Sequence, residues 1–269
     1  MNDEIKKKYI SASQLSMFER CGESYRRRYI EHEIIPPGIA QVKGSGVHGG
    51  AKHNFLQKKE THEDLPKKDI IEISVAEFER VVSKQGVFLT REEESFGYNK
   101  VIGVTKDSVV RLADLFSAQV APEYQPVYVE ESHRLVIPDS PYDLLAVMDL
   151  ADDLDRVTDL KTAGKSKTQK EVDTSEQMSM YALVFKAITK RLPTEVRLET
   201  LVDTKIPKRQ VLTAIRDQRD LEVLVARVDT MIKALAKGVF VPAPANSWAC
   251  DERYCGYALT CPFYRNNSQ

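Results

Sequence analysis

The chain has 269 residues, of which 42% are hydrophobic and 29% charged, and its formal net charge at pH 7 is -1. This length permits one large domain or two small ones, and the composition is that of a folded protein with a sizeable core. No apolar run is long enough for a membrane-spanning helix, and the N-terminal sequence MNDEIKKKYI lacks the apolar centre of a signal peptide, so we expect a cytoplasmic protein. Nucleic-acid binding would have to rest on local basic patches.

The first half of the sequence is mainly predicted as helix. Helical periodicity and capping signals occur over residues 11–29, 51–59, 69–85 and 106–120. The first of these helices begins with a capping box of Ser11 and Gln14. A glycine-rich segment, residues 44–50, precedes the second helix, and its glycines suit a tight turn or a close approach of the backbone to phosphate. We expect residues 45–122 to form a helical lobe, in which the helices at 69–85 and 106–120 carry no identifiable chemistry of their own.

The second half of the sequence predicts a sheet and two further helices. Strand signals occur at residues 126–137, 143–151, 155–161 and 195–202. A helix over residues 176–191 follows a cap at Thr174 or Ser175, and an amphipathic helix covers residues 214–237. We therefore expect an α/β fold, with a mixed central sheet flanked by helices, in a single domain over residues 1–269.

The second and third predicted strands form a hairpin with charged residues near the ends of both strands. Asp149 lies near the end of one strand and Asp159 near the end of the other, so a hairpin brings the two carboxylates together. Two close carboxylates favour a hard divalent cation between them. Lys161 lies on the same strand face as Asp159, where its ammonium would stabilise charge developing on a phosphorus centre. Each of these residues also has an ordinary interpretation, as a solvated strand-end charge.

The sequence after the hairpin completes a family pattern. Gln177 and Tyr181 are four residues apart on one helix face. The order Asp149, then Asp159-x-Lys161, then Gln177-x-x-x-Tyr181 resembles the PD-(D/E)XK nuclease superfamily, in its RecB-like branch. The resemblance implies a restriction-endonuclease-like core and hydrolysis of DNA with Mg²⁺ or Mn²⁺ bound by the two aspartates. It also implies that the glutamine contacts a water or a phosphate, and that the tyrosine braces the helix or touches DNA.

The same resemblance assigns further metal ligands. A histidine on an early helix joins the metal site of such nucleases, and His48 matches by its glycine context, with His53 as the fallback. The Leu160 carbonyl is a further ligand. One glutamate on the first predicted strand, Glu130 or Glu131, supports the metal through water, although an exposed edge charge is an equally ordinary interpretation of this pair.

The cysteines form a second pattern. Cys21 stands near the N-terminus, and Cys250, Cys255 and Cys261 lie close together near the C-terminus. Without a secretion signal, this pattern favours a metal group over disulfides, and both zinc and iron–sulfur clusters accept four thiolates. Around a RecB-like core the arrangement resembles iron–sulfur nucleases of the AddB type and the CRISPR-associated adaptation nucleases. It implies a 4Fe-4S cluster that holds residues 246–264 to the first helix; zinc and four free thiols remain open.

These observations predict a metal-dependent DNA exonuclease that resects DNA ends in recombination, repair or phage DNA metabolism, similar to standalone phage-type exonucleases. Arg26, Arg27, Lys165 and Lys167 are the predicted DNA contacts. Two alternatives stay open: a non-catalytic DNA-binding module, and a nuclease subunit active only with a helicase or annealing partner. The chain lacks a Walker loop, so any ATP-driven motor would have to be such a partner. A homo-oligomer is compatible with the sequence.

Overall fold

The computed structural model of the protein describes residues 8–244 and 246–264. Its internal contacts divide the chain into two compact units. The larger unit consists of Pro36–Glu131 and Val147–Arg216, and the smaller unit of the described residues up to Ile35, Ser132–Ala146 and those from Asp217 onwards. Each unit is therefore discontinuous in sequence, and the single domain expected from the sequence stays a prediction.

The described residues contain the following regular elements. The helices are α1 (Ala12–Arg20), α2 (Gly22–Tyr25), α3 (Ile39–Thr61), α4 (Lys67–Gln85), α5 (Arg91–Ser95), α6 (Tyr98–Gln119), α7 (Gln169–Asp173), α8 (Glu176–Thr189) and α9 (Gln218–Ala236). The strands are β1 (Lys8–Ile10), β2 (Pro126–Leu135), β3 (Tyr142–Asp152), β4 (Arg156–Ala163), β5 (Glu195–Val202) and β6 (Lys208–Ala214). A π-helical turn, Arg26–Ile30, follows α2.

The sheet of the larger unit is mixed. Strand β4 pairs antiparallel with β3 and parallel with β5, and β5 pairs antiparallel with β6. Strand β2 also pairs with β3. The predicted α/β fold with a mixed sheet flanked by helices is thereby confirmed.

Helices of the larger unit pack against apolar residues on both faces of this sheet. Leu150, Leu160 and Leu201 belong to a buried cluster that also contains apolar residues of α3, α4 and α6. Successive strand residues point to opposite faces. The other face of β4 and β5 packs against α8, whose Met178 and Phe185 are buried. Two apolar layers thus fix the sheet between helices.

The glycine-rich segment lies inside α3, so the predicted turn or phosphate loop before a helix at residue 51 is wrong. A Cβ atom on Gly46 would lie 2.9 Å from the Phe78 Cβ atom and 3.0 Å from the Ser74 carbonyl oxygen. At Gly50 it would lie 2.0 Å from Ser74 Oγ and 2.8 Å from the Ile70 carbonyl oxygen. These glycines therefore serve the close packing of α3 against α4 within the larger unit.

Strand β6 was not predicted, and its residues 208–214 are polar enough to hide the strand pattern. Its pairing depends on tertiary contacts instead: Arg209 donates to both carboxylate oxygens of fully buried Glu199 on β5, each at 2.7 Å. The helix expected from residue 214 begins only at Gln218, because Asp217 accepts hydrogen bonds from the amides of Arg219 and Asp220 and so caps it.

The predicted helix over residues 11–29 is interrupted in the smaller unit. Cys21 has an extended backbone and separates α1 from α2. The amide of Gly22 donates to the Val241 carbonyl at 2.7 Å, and a Cβ atom on Gly22 would lie 2.6 Å from the Val241 nitrogen. The break thus accommodates the segment that follows α9. Strand β1, also not predicted, pairs in parallel with the first residues of β3.

The predicted helix starting at residue 106 begins earlier, at Tyr98, after a glycine with positive φ, Gly97. Within the described residues, no helix is both long and apolar enough to cross a lipid bilayer.

We predict that Gly50→Ala lowers the free energy of unfolding by about 1–3 kcal/mol, because the new methyl group must displace the backbone of α4 at Ile70. Urea denaturation followed by circular dichroism measures this. Gly103→Ala is the matched control: it lies exposed inside α6 with no atom within 4 Å of the new Cβ, and should stabilise by about 0.5–1 kcal/mol. Equal effects of the two substitutions would contradict the packing role of Gly50.

Candidate active site

The β3–β4 hairpin places two aspartates side by side in the larger unit. Leu150 is paired with Thr158, so the adjacent residues Asp149 and Asp159 follow at the next position of the ladder. Asp159 is only 1% exposed. Asp149 Oδ2 accepts a hydrogen bond of 3.2 Å from the Leu160 amide, on the neighbouring strand. The strands therefore hold both carboxylates in one buried corner.

His48 of α3 and Glu130 of β2 complete a group of potential metal ligands around Asp149. His48 Nδ1 lies 3.8 Å from Asp149 Oδ2 and 3.8 Å from Glu130 Oε1. One ligand atom from each of these three residues lies within 4.8 Å of the others. His48 Nε2 contacts the Leu160 carbonyl oxygen closely. This donor set of one imidazole and two carboxylates fits a divalent cation.

The two neighbouring glutamates of β2 have different environments. Glu130 has a φ of 50°, in the left-handed region, which interrupts the alternation of the strand. Its carboxylate belongs to the ligand group, whereas Glu131 lies 3.1 Å from the Lys59 ammonium. The sequence could not distinguish the two glutamates, because the strand period fails where the backbone turns. His53, the fallback ligand, is exposed on α3 and lies outside the group.

Electrostatic crowding marks this corner as a site for positive charge. Burial, and then the nearby carboxylate of Asp159, raise the pKa of Asp149 to about 7. Burial by itself lowers the pKa of His48, but the Glu130 hydrogen bond and the charge of Asp149 outweigh it, and the net shift is upward. A divalent cation would relieve the same repulsion between carboxylates.

Lys161 is bound to the second aspartate. Its Nζ donates to Asp159 Oδ1 at 2.9 Å. Burial lowers the pKa of Lys161, yet the carboxylates of Asp159 and Asp149 outweigh this effect and raise it. Lys161 therefore stays an ammonium at neutral pH. Asp159 lies beside the ligand group, and its role as a metal ligand stays a prediction.

Gln177 and Tyr181 of α8 form a hydrogen-bonded chain that ends on Asp149. Gln177 Nε2 donates to the Tyr181 hydroxyl at 2.7 Å, and this hydroxyl donates to Asp149 Oδ1 at 3.1 Å. Ser175 caps α8 by accepting from the Met178 amide. Burial raises the pKa of Tyr181 well above its usual value, so the phenol stays a donor. The chain fixes the orientation of the Asp149 carboxylate.

The smaller unit contains the four cysteines, none of which forms a disulfide. Burial and the proximity of Cys21, Cys255 and Cys261 raise the pKa of the Cys250 thiol. The Ala243 amide donates to Cys21 Sγ at 3.4 Å, and Ser24 Oγ lies 3.7 Å from Cys255 Sγ. Thiols that are close together and near hydrogen-bond donors fit a thiolate-bound metal group.

The residues predicted to contact DNA have different environments. Arg26 forms a bidentate ion pair with Glu23, with both distances 2.8 Å, and Arg27 donates to Glu33 at 2.6 Å. Lys167 donates to Glu171 at 2.9 Å, whereas Lys165 is exposed. Their contacts with DNA stay predictions, and the two arginines are already engaged within the smaller unit.

Comparison with known proteins identifies related sequences and folds. The sequence model of the PD-(D/E)XK nuclease superfamily matches residues 9–262. A crystal structure from Eubacterium rectale, described as a proposed exonuclease, aligns over 100% of this chain and 96% of that chain, with a TM-score of 0.59 and 10% sequence identity. The crystal structure of SSO0001 aligns over 99% and 90% of the two chains at a TM-score of 0.44 and 12% identity, too weak a likeness to support an argument. No curated protein sequence matches significantly.

We predict that Tyr181→Phe weakens Mn²⁺ binding about 10-fold, because it removes the hydrogen bond that orients Asp149. Calorimetric titration of Mn²⁺ into metal-free protein measures this. Tyr98→Phe, at a half-exposed position of α6, removes a hydroxyl away from the ligand group and should bind as the wild type does. An unchanged affinity in Tyr181→Phe would show that the phenol does not orient the carboxylate.

Proposed function

Because the chain belongs to the PD-(D/E)XK nuclease superfamily, we propose that it is a metal-dependent DNA exonuclease of the RecB-like branch. The observation that carries this proposal is the ligand group of His48, Glu130 and Asp149, close to the ammonium of Lys161. The order of Asp149, Asp159-x-Lys161 and the later helical pair supports the branch. The description of the Eubacterium rectale protein as a proposed exonuclease supports cleavage from DNA ends.

His48, Glu130 and Asp149 would hold Mg²⁺ or Mn²⁺. We extend this ligand set to Asp159, whose charge acts on Asp149, and to the Leu160 carbonyl, which contacts His48 Nε2. When bound, the cation would act as a Lewis acid that activates water and neutralises charge on the phosphate. The protein supplies the geometry, since β3 and β4 fix both aspartates before substrate arrives.

Lys161 has a distinct task from that of the ligands. Its ammonium is held by Asp159 and stays protonated at neutral pH. A fixed cation beside the reacting phosphate stabilises the negative charge that develops on its oxygens during hydrolysis. Tyr181 and Gln177 keep one oxygen of Asp149 occupied, which leaves the other oxygen directed towards the ligand group.

The cysteines of the smaller unit would hold a 4Fe-4S cluster. The four cysteines lie in one unit, with Cys21, Cys255 and Cys261 near enough to Cys250 to raise the pKa of its thiol, which supports a metal group shared by all four. The resemblance of their arrangement to iron–sulfur nucleases favours the cluster over zinc. Its proposed role is to link Cys21 with the C-terminal cysteines.

DNA ends are the proposed substrate, in recombination, repair or phage DNA metabolism, in the cytoplasm of a bacterial or phage-infected cell. A non-catalytic DNA-binding module is less favoured, because DNA binding alone does not require a ligand group beside Lys161. A helicase or annealing protein remains a possible activating partner, and a homo-oligomer remains compatible with this activity.

We predict that protein purified without oxygen degrades linear DNA with Mg²⁺ or Mn²⁺ and spares closed circular DNA. Asp159→Asn should reduce this activity at least 100-fold, because Lys161 loses its carboxylate partner and the metal loses a neighbouring charge. End-labelled substrates resolve the products. Asp153→Asn, the same change at an exposed position of the β3–β4 turn, serves as the control. Binding without cleavage by the wild type would favour the binding module or a partner-dependent nuclease.

We predict that Cys255→Ser loses the cluster and lowers the free energy of unfolding by about 2–4 kcal/mol, as expected when a link between distant parts of a chain is removed. Iron and acid-labile sulfide content, visible absorbance and thermal unfolding measure these effects. A colourless wild-type protein with one zinc ion per chain would show that the cysteines bind zinc and not an iron–sulfur cluster. A wild type without either metal would leave four free thiols.

A further inference from the structure

A short basic loop, residues 164–168, follows the strand that bears Lys161. The loop connects β4 to α7 and includes Lys165 and Lys167. The Lys167 ammonium is paired with Glu171. Lys165 is exposed and makes no hydrogen bond or ion pair with any residue that the structure describes. A free ammonium close in sequence to the site is thus available for an external anion.

Hydrogen bonds fix both ends of the basic loop. On the side of β4, the Ala163 carbonyl accepts from the Asp203 amide at 2.7 Å. On the other side, Gln210 Oε1 accepts from the Lys167 amide at 2.7 Å, and Gln210 Nε2 donates to the Lys167 carbonyl at 3.0 Å. A single side-chain amide thereby pairs with both backbone groups of one loop residue, as a neighbouring strand would. Only three residues remain between the anchored ends.

The strand register ties this anchor to the active site. Lys161 on β4 is paired with Thr200 on β5, and Thr200 is paired with Gln210 on β6. Residues paired across strands have side chains on the same face of a sheet. Gln210 therefore stands in the same row as Lys161, two strands away in the sheet.

We infer that the basic loop is a subsite for a backbone phosphate of the DNA, adjacent to the phosphate being cut, with Lys165 as its contact and Gln210 as a positioning residue. This inference rests on the proposed nuclease function. Phosphate contacts from lysine position DNA without reading its sequence. A loop already ordered before binding avoids the entropic cost of ordering it on the DNA. The two hydrogen bonds from Gln210 provide this order.

The first experiment measures DNA binding by the metal-free protein, which cannot cut. Fluorescence anisotropy of a labelled oligonucleotide duplex, at a series of salt concentrations, gives the slope of log affinity against log salt. Lys165→Ala should weaken binding several-fold and reduce the magnitude of this slope by about 0.9, the value for one phosphate contact. Lys170→Ala, which removes the same charge from α7 outside the basic loop, is the control and should leave the slope unchanged.

The second experiment tests Gln210. Gln210→Met keeps the side-chain length and removes both hydrogen bonds to Lys167. We expect several-fold weaker binding with the slope retained, and in the nuclease assay a raised KM with an unchanged kcat. In a Lys165→Ala background the same substitution should cause no further loss, because the two residues act through one contact.

Two results would overturn the inference while leaving the nuclease intact. One is a Lys165→Ala protein that binds DNA with the affinity and salt slope of the wild type. The other is a loss from Gln210→Met that persists undiminished in the Lys165→Ala background, since this would mark a general loss of structure. A wild type that neither binds nor cuts DNA would instead refute the proposed function, and the inference with it.

Discussion

The pairing of β3 with β4 places Asp149 and Asp159 in one buried corner. Other residues of the site offset the resulting repulsion between the two carboxylates. Burial and the proximity of Asp159 raise the pKa of Asp149 to about 7. Lys161 is paired with one carboxylate, His48 lies near the other, and the Tyr181 phenol donates to it. Such a corner is costly to fold without a cation, so its presence favours a role in binding one. The site is therefore preorganised at the expense of the free energy of unfolding.

The position of His48 depends on the packing of α3 against α4. His48 lies on α3 between Gly46 and Gly50, and both glycines face α4 at distances that leave no space for a methyl group. The close contact of the two helices therefore sets where α3 runs, and with it the imidazole. Glu130 reaches the same group through a backbone in the left-handed region, which a residue other than glycine adopts at an energetic cost. Helix packing thus positions His48 and local backbone strain positions Glu130, while the β3–β4 hairpin positions Asp149.

In the smaller unit, too, close packing at a glycine positions the groups of a candidate site. The segment after α9 passes so close to Gly22 that only a glycine fits, and this contact brings the Ala243 amide to Cys21 Sγ. Hydrogen-bond donors beside the sulfurs are a usual feature of the surroundings of a thiolate-bound metal group. Arg27 donates to Glu33 and to the Thr260 hydroxyl, and it thereby links parts of the unit that are distant in sequence.

The sequence by itself determined the α/β class and the β3–β4 hairpin, because strand and helix periodicity depend on residues close together in the chain. It also determined the order and spacing of the candidate site residues Asp149, Asp159, Lys161, Gln177 and Tyr181. Tertiary structure decided the rest. The selection of Glu130 over Glu131 depended on the left-handed backbone of Glu130 and on its approach to His48. Strand β6 depended on the buried ion pair between Arg209 and Glu199, and the role of the glycines in α3 depended on the packing of α4 against them. Such contacts join residues far apart in sequence, and no local pattern encodes their energies.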